Sequence, residues 1–115
     1  MDSTIIKLLE TYRANAVLHR EGSEAGNSRE ANRAHEKIMS AYKLLVQSEQ
    51  GRSALKSLLA DADCGVRVWA ATHTLKYAEG EALTILDAIS QGKGLTSFNA
   101  EMVAKLWRAG ELKLL

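Results

Sequence analysis

The sequence predicts an all-α domain of about three antiparallel helical hairpins, and three observations carry that reading. Apolar residues recur at spacings of three and four along most of the chain, proline is absent, and no segment shows the alternation of a half-exposed strand. Short connections between successive helices favour antiparallel neighbours. A row of hairpins, none able to bury its face alone, is the logic of a helical repeat array, or α-α superhelix. The 115 residues suit a single domain, residues 1–115, with one core. With 46% hydrophobic and 25% charged residues, the chain groups with globular rather than disordered sequences.

Glycine is the strongest remaining punctuator. Gly22, Gly26, Gly51, Gly65, Gly80, Gly92, Gly94 and Gly110 divide the chain into about six helical segments. The first, residues 3–20, places Ile5, Leu9, Tyr12 and Ala16 on one face, with Gly22 where a C-cap is expected. Either Asn27 or Ser28 can cap the second; with Asn27 as cap, Glu30 occupies the third position after it, and Ala31, Ala34, Ile38, Tyr42 and Leu45 form the buried face.

A short third helix, residues 53–60, turns Leu55, Leu58 and Leu59 inward. Asp61-Ala62-Asp63 then forms a turn whose carboxylate caps the next helix at its positive end. That helix, residues 64–78, carries Val66, Ala70, His73 and Tyr77 on one face and Val68, Ala71 and Leu75 nearly opposite. Apolar residues on both sides mark it as the central helix, packed on two faces. Residues 80–90 follow with Ala82, Ile85, Leu86 and Ile89 inward, then residues 97–109 with Phe98, Met102, Val103 and Leu106 inward. The apolar terminus, Leu112, Leu114 and Leu115, is expected to fold back over an exposed end.

The run Leu58-Leu59-Ala60-Asp61-Ala62-Asp63-Cys64-Gly65-Val66-Arg67-Val68-Trp69-Ala70-Ala71 resembles a HEAT repeat: a leucine pair, an acidic turn, Val-Arg, then paired alanines. The resemblance implies a short HEAT-like array, with Arg67 in a structural role against acidic turn residues. His73, Thr74 and Tyr77 depart from the usual smaller or aliphatic residues. Over its whole length the chain also resembles a small bacterial family, the HEAT-like domain of unknown function 2019. That likeness rests on Asn27-Ser28-Arg29-Glu30-Ala31-Asn32, Val66-Arg67-Val68-Trp69-Ala70-Ala71, Phe98-Asn99-Ala100-Glu101-Met102 and Trp107-Arg108-Ala109-Gly110-Glu111-Leu112. It implies a fold and no established activity.

Charge and motif content narrow the function classes. Fifteen basic and fourteen acidic residues leave a net charge of +1, too little field to draw in nucleic acid or an anionic membrane. Asp2 stands where a secretory signal places its basic region, and no apolar run approaches the roughly 20 residues of a membrane span. Cys64 is the only cysteine, which fits a reducing, cytoplasmic setting. Cys64, His19, His35 and His73 are scattered one to a segment, so no metal or cofactor site is expected. Gly22-x-x-x-Gly26 and Gly92-Lys93-Gly94 read as loops rather than phosphate cradles, and Asp61, Asp63, Glu79 and Glu81 as helix-start acids rather than an acid and base. No catalytic residue is assigned.

Arg29, Arg33 and Lys37 form a basic stripe that reads as a solvated face laced with ion pairs to Glu30 and Glu36. Tryptophan and arginine are enriched at binding hot spots, which singles out Arg67, Trp69, His73, Trp107 and Arg108 as partner-binding residues; burial between hairpins is the competing role for both tryptophans. The expected function is a non-enzymatic protein-interaction module, of which a bacterial immunity or antitoxin-type binder is a concrete version. The alternative is a nucleic-acid-binding or base-repair module, because some HEAT-like proteins act on damaged bases. Partner identity and oligomeric state are not encoded in any motif.

Overall fold

The computed structural model describes residues 2–113, and every regular element among them is helical. Six α-helices follow one another: α1 (Ser3–Glu24), α2 (Ser28–Leu45), α3 (Glu49–Ser57) with a 3-10 turn (Leu58–Ala60), α4 (Cys64–Thr74), α5 (Glu79–Ser90) and α6 (Leu95–Arg108). The leucines of the apolar terminus divide here: Leu112 is described, whereas Leu114 and Leu115 lie outside the described residues.

Side-chain caps explain most of the starts. The Asp2 carboxylate accepts from the Thr4 and Ile5 N–H groups, Asn27 from Glu30, Ser48 from Gly51, and Asp63 from Gly65 and Val66, each satisfying N–H groups that a helix leaves without an internal partner. The expected C-cap at Gly22 is corrected: α1 runs on to Glu24, and Gly22 is a buried residue within it. Its stop is Gly26, with φ +70°. There the Asn27 N–H donates to Gly22 O at 2.8 Å and the Gly26 N–H to Ser23 O at 3.2 Å, a Schellman turn that needs a left-handed residue. The same device ends α6 at Gly110, where the Glu111 and Leu112 N–H groups both donate to Leu106 O and Leu112 turns back against the core.

Consecutive helices pack as neighbours: α1 against α2, α3 and the 3-10 turn against α4, and α5 against α6. Within the middle pair α4 is the central element, touching α1, α3, α5 and α6. Its Val66, Ala70 and Ala71 are fully buried and Val68 nearly so, as apolar residues on opposite faces require. The α2 face Ala31, Ala34, Ile38, Tyr42 and Leu45 is buried throughout. Two inward assignments are corrected. Phe98 is 55% exposed because α6 faces the core with Ala100 and Ala104 instead, and Tyr77 lies beyond the end of α4, 41% exposed.

Gly51 also reads differently in three dimensions. It sits inside α3, which starts four residues earlier than expected, and a Cβ there would lie 1.8 Å from Leu45 O. Only a residue without a side chain lets the start of α3 cross so close to the end of α2. Gly51→Ala should therefore cost about 3 kcal/mol or more in unfolding free energy by forcing the two helices apart. Gly80, with nothing within 4 Å of its would-be Cβ, supplies the contrast: Gly80→Ala should gain roughly 0.5 kcal/mol. Urea denaturation of both variants tests the pair, and equal midpoints would contradict the close approach.

Candidate functional site

Three helices bring six ring-bearing side chains together in two layers. α1 contributes Tyr12 and His19, seven residues apart; α2 contributes His35 and Tyr42, also seven apart; α4 contributes Trp69 and His73, one turn apart. In the inner layer the His73 ring stacks on Tyr42 with centroids 3.8 Å apart and meets Tyr12 edge-on at 5.7 Å. In the outer layer Trp69 lies 5.1 Å from His19 and 5.6 Å from His35. Both α1–α2 pairs are placed symmetrically about Asn27, the register of an antiparallel hairpin. The histidines that are scattered in sequence thus converge on one indole. Among the described residues, however, no three His, Cys, Asp or Glu side chains are arranged to hold a metal ion.

His73 is a core residue, 5% exposed, and shares a 2.7 Å hydrogen bond between its Nδ1 and the Tyr12 hydroxyl. Burial, reinforced by the nearby His35, pushes its pKa down to about 3, so the ring is neutral at pH 7. It therefore backs the site and offers no face to a partner. Burial and then His35 also lower the pKa of His19, whereas burial raises that of the Tyr12 phenol.

The acidic turn is held by α1. Arg13 donates to Asp61 through Nε at 2.6 Å and Nη2 at 3.2 Å, and Arg20 donates to Asp63 through Nε and Nη2, the latter at 2.9 Å. Burial works against both carboxylates, yet the guanidinium and backbone N–H donors outweigh it and leave both below the usual carboxylate range. The expectation for Arg67 is corrected. Arg13 and Arg20 occupy the turn acids, and the buried Arg67 Nε has no hydrogen-bond partner.

Beside this clamp a cleft of about 280 Å³ opens between α1, α4 and α6. Trp69, Val68, Met102, Val103 and Leu106 give it an apolar lining, and His19, Ser23, Thr96 and Asn99 supply polar groups. Leu95, 45% exposed, lines its mouth, and Phe98 lies one helical turn further along α6. Of the residues singled out in the sequence, only Trp69 reaches this cleft. Trp107 packs partly against the core and donates its Nε1–H to Glu79 at 2.7 Å, while Arg108 makes a bidentate pair with Asp87; both join α6 to α5. The cleft residues Leu95, Met102 and Leu106 do recur at helical spacing, the signal by which a second apolar face of α6 is legible.

The basic stripe is exposed, but the expected ion pairs are absent. Arg29, Arg33 and Lys37 pair with no described carboxylate, and Glu30 instead engages Asn27 in the cap. No helix is long and apolar enough to cross a membrane among the described residues.

No family model matches the chain, and no curated protein matches it. Among solved structures, the chain is similar to the crystal structure of the protein RPA1889 from Rhodopseudomonas palustris CGA009, with a TM-score of 0.86 at 24% identity, over 96% of this chain and 93% of that one. At that identity the likeness shows a shared all-helical fold alone.

The depressed His73 pKa fixes the sign of an acid effect. Between pH about 6.5, where an unfolded histidine takes up its proton, and pH about 3 the unfolded chain binds a proton that the folded chain excludes. Stability from the neutral ring is complete above that window and is lost as pH falls through it, with a slope approaching about 1.4 kcal/mol per pH unit. His19 adds in the same direction, and the turn carboxylates lose their contribution only below the usual aspartate range. His73→Phe, which keeps a ring against Tyr42, should flatten the fall in urea midpoint between pH 7 and 5; an unchanged slope would place the acid sensitivity elsewhere.

Proposed function

We propose that this protein is a non-enzymatic protein-interaction module, built as a short HEAT-like array of three hairpins and related to the domain of unknown function 2019. The acidic turn between α3 and α4, the Val-Arg and paired-alanine run after it, and the three neighbouring helix pairs support the HEAT-like reading. The observation that carries the function is the cleft between α1, α4 and α6. It sets an indole and aliphatic side chains in a concave, partly desolvated site, with exposed Leu95 at its mouth, Phe98 beside it and polar groups around it. Hot spots at protein interfaces have this construction: aromatic and aliphatic anchors within a ring that excludes water. An immunity or antitoxin-type binder in the cytoplasm of a bacterium is the concrete version of this role.

The unpaired Arg29, Arg33 and Lys37 favour a second reading, a nucleic-acid-binding or base-repair module, since such a stripe can follow phosphates. The net charge of +1 weighs against it.

Affinity capture from the native cell, followed by measurement of the isolated complex, tests the proposal. Phe98→Ser changes an exposed side chain and should leave the fold intact while weakening the partner about thirtyfold, the scale of a hot-spot loss. Trp69→Ala, checked for retained helicity, should act in the same direction. A partner held at wild-type affinity by both variants would remove the cleft from the interface, and salt-sensitive binding of DNA or RNA in place of a protein would favour the second reading.

A further inference from the structure

A second surface, on the side of α1 and α2 away from the cleft, carries its own chemistry. Two shallow depressions of about 360 and 340 Å³ run along the seam of the α1–α2 hairpin and share Lys37, forming one groove. Its basic side is the α2 stripe Arg29, Arg33 and Lys37, spaced every four residues and so about 6 Å apart along the helix. Its apolar elements are Leu18 and Leu44, 41% and 50% exposed, and Leu8, with Ala34 and Ala41 also lining the seam.

Charge distribution sets the kind of occupant. The three cations pair with no described residue, and the groove sets two carboxylates against them, Glu36 and Glu30, the latter hydrogen-bonded by Asn27, so its lining keeps a positive excess. Three cations free of ion pairs, in excess over the two carboxylates and beside exposed leucines, match a surface that is both acidic and apolar. A phosphate backbone would satisfy the cations and leave Leu18 and Leu44 in water. An amphipathic helix satisfies both: carboxylates at a spacing of four residues meet Arg29, Arg33 and Lys37, while its apolar stripe lies along the seam. From Arg29 to Leu44 the groove runs roughly 22 Å, the length of about 15 helical residues.

We propose that the α1–α2 seam is a docking groove for an acidic amphipathic helix of a partner protein. The groove extends the interaction-module reading to a second surface, and it neither uses nor requires the cleft around Trp69.

The test is selection of a displayed library of helical peptides about 15 residues long against the full chain, with leucine fixed along one face and Asp, Glu, Lys, Arg and Ser varied elsewhere. Acidic peptides should be enriched. A synthetic representative, measured by fluorescence anisotropy, should lose about tenfold in affinity on the triple change Arg29→Ala, Arg33→Ala, Lys37→Ala. It should weaken similarly on Leu18→Ser with Leu44→Ser and should be unaffected by Phe98→Ser. Circular dichroism confirms the fold of each variant. Absence of enrichment, enrichment without an acidic bias, or acidic peptides indifferent to the triple change would each overturn the groove. So would tighter binding of a thymidine oligonucleotide of the same length, lost in the triple variant, which would assign the stripe to phosphates. Sensitivity to Phe98→Ser without sensitivity to the triple change would return the interaction to the cleft.

Discussion

The carboxylate of Asp63 is the point on which the rest of the arrangement depends. One oxygen receives the first free N–H groups of α4, and the same group receives the Arg20 guanidinium from α1. Capping thereby joins a local requirement, the start of a helix, to a distant one, the position of α1 across it. Arg13 repeats the contact two helical turns earlier, on Asp61, whose other task is to accept the Asp63 N–H at 2.9 Å and so close the turn. Two arginines seven residues apart therefore read two aspartates two residues apart. That match fixes where α1 lies along α4, and with it where Tyr12 and His19 meet His73 and Trp69.

The inner aromatic layer shows what such a register accomplishes. A histidine in a core is tolerated only as the neutral ring with a polar partner, and the Tyr12 hydroxyl supplies that partner while Tyr42 covers a ring face. A slip of one residue in α1 would remove the hydroxyl from reach and leave a buried nitrogen unsatisfied, at a cost apolar packing does not impose. The polar contact thus selects one alignment of the hairpin among those that its alanines and leucines would accept.

The helical elements were legible in the sequence because their signals are local. Asn27 and Asp63 announce themselves as caps, the α2 face follows the helical period, and apolar residues on two sides of α4 mark its central place. Glycine misled where its role is tertiary: Gly22 and Gly51 lie within helices, close to a neighbouring chain segment, and no local pattern separates that use from a stop. The same limit hid the site. His19, His35 and Trp69 come from three helices, and their meeting depends on the symmetry of the hairpin about Asn27, which is readable only once α1 is known to end beyond Gly22. Arg67 fits the HEAT pattern by type and position, yet Arg13 and Arg20 approach the acidic turn from another helix, beyond what a motif within one segment can convey.

α6 is seated differently from the other helices. Large side chains lock α1 and α2 into the core through Tyr12, Ile38 and Leu45, whereas α6 is buried chiefly through Ala100 and Ala104 and tied to α5 by the exposed Trp107–Glu79 and Arg108–Asp87 contacts. Two alanines at the seam let the α6 backbone lie close to the core, and its polar ties run to α5. Because α6 is also one wall of the cleft, the contacts that hold it to α5 set the width of the cleft as well.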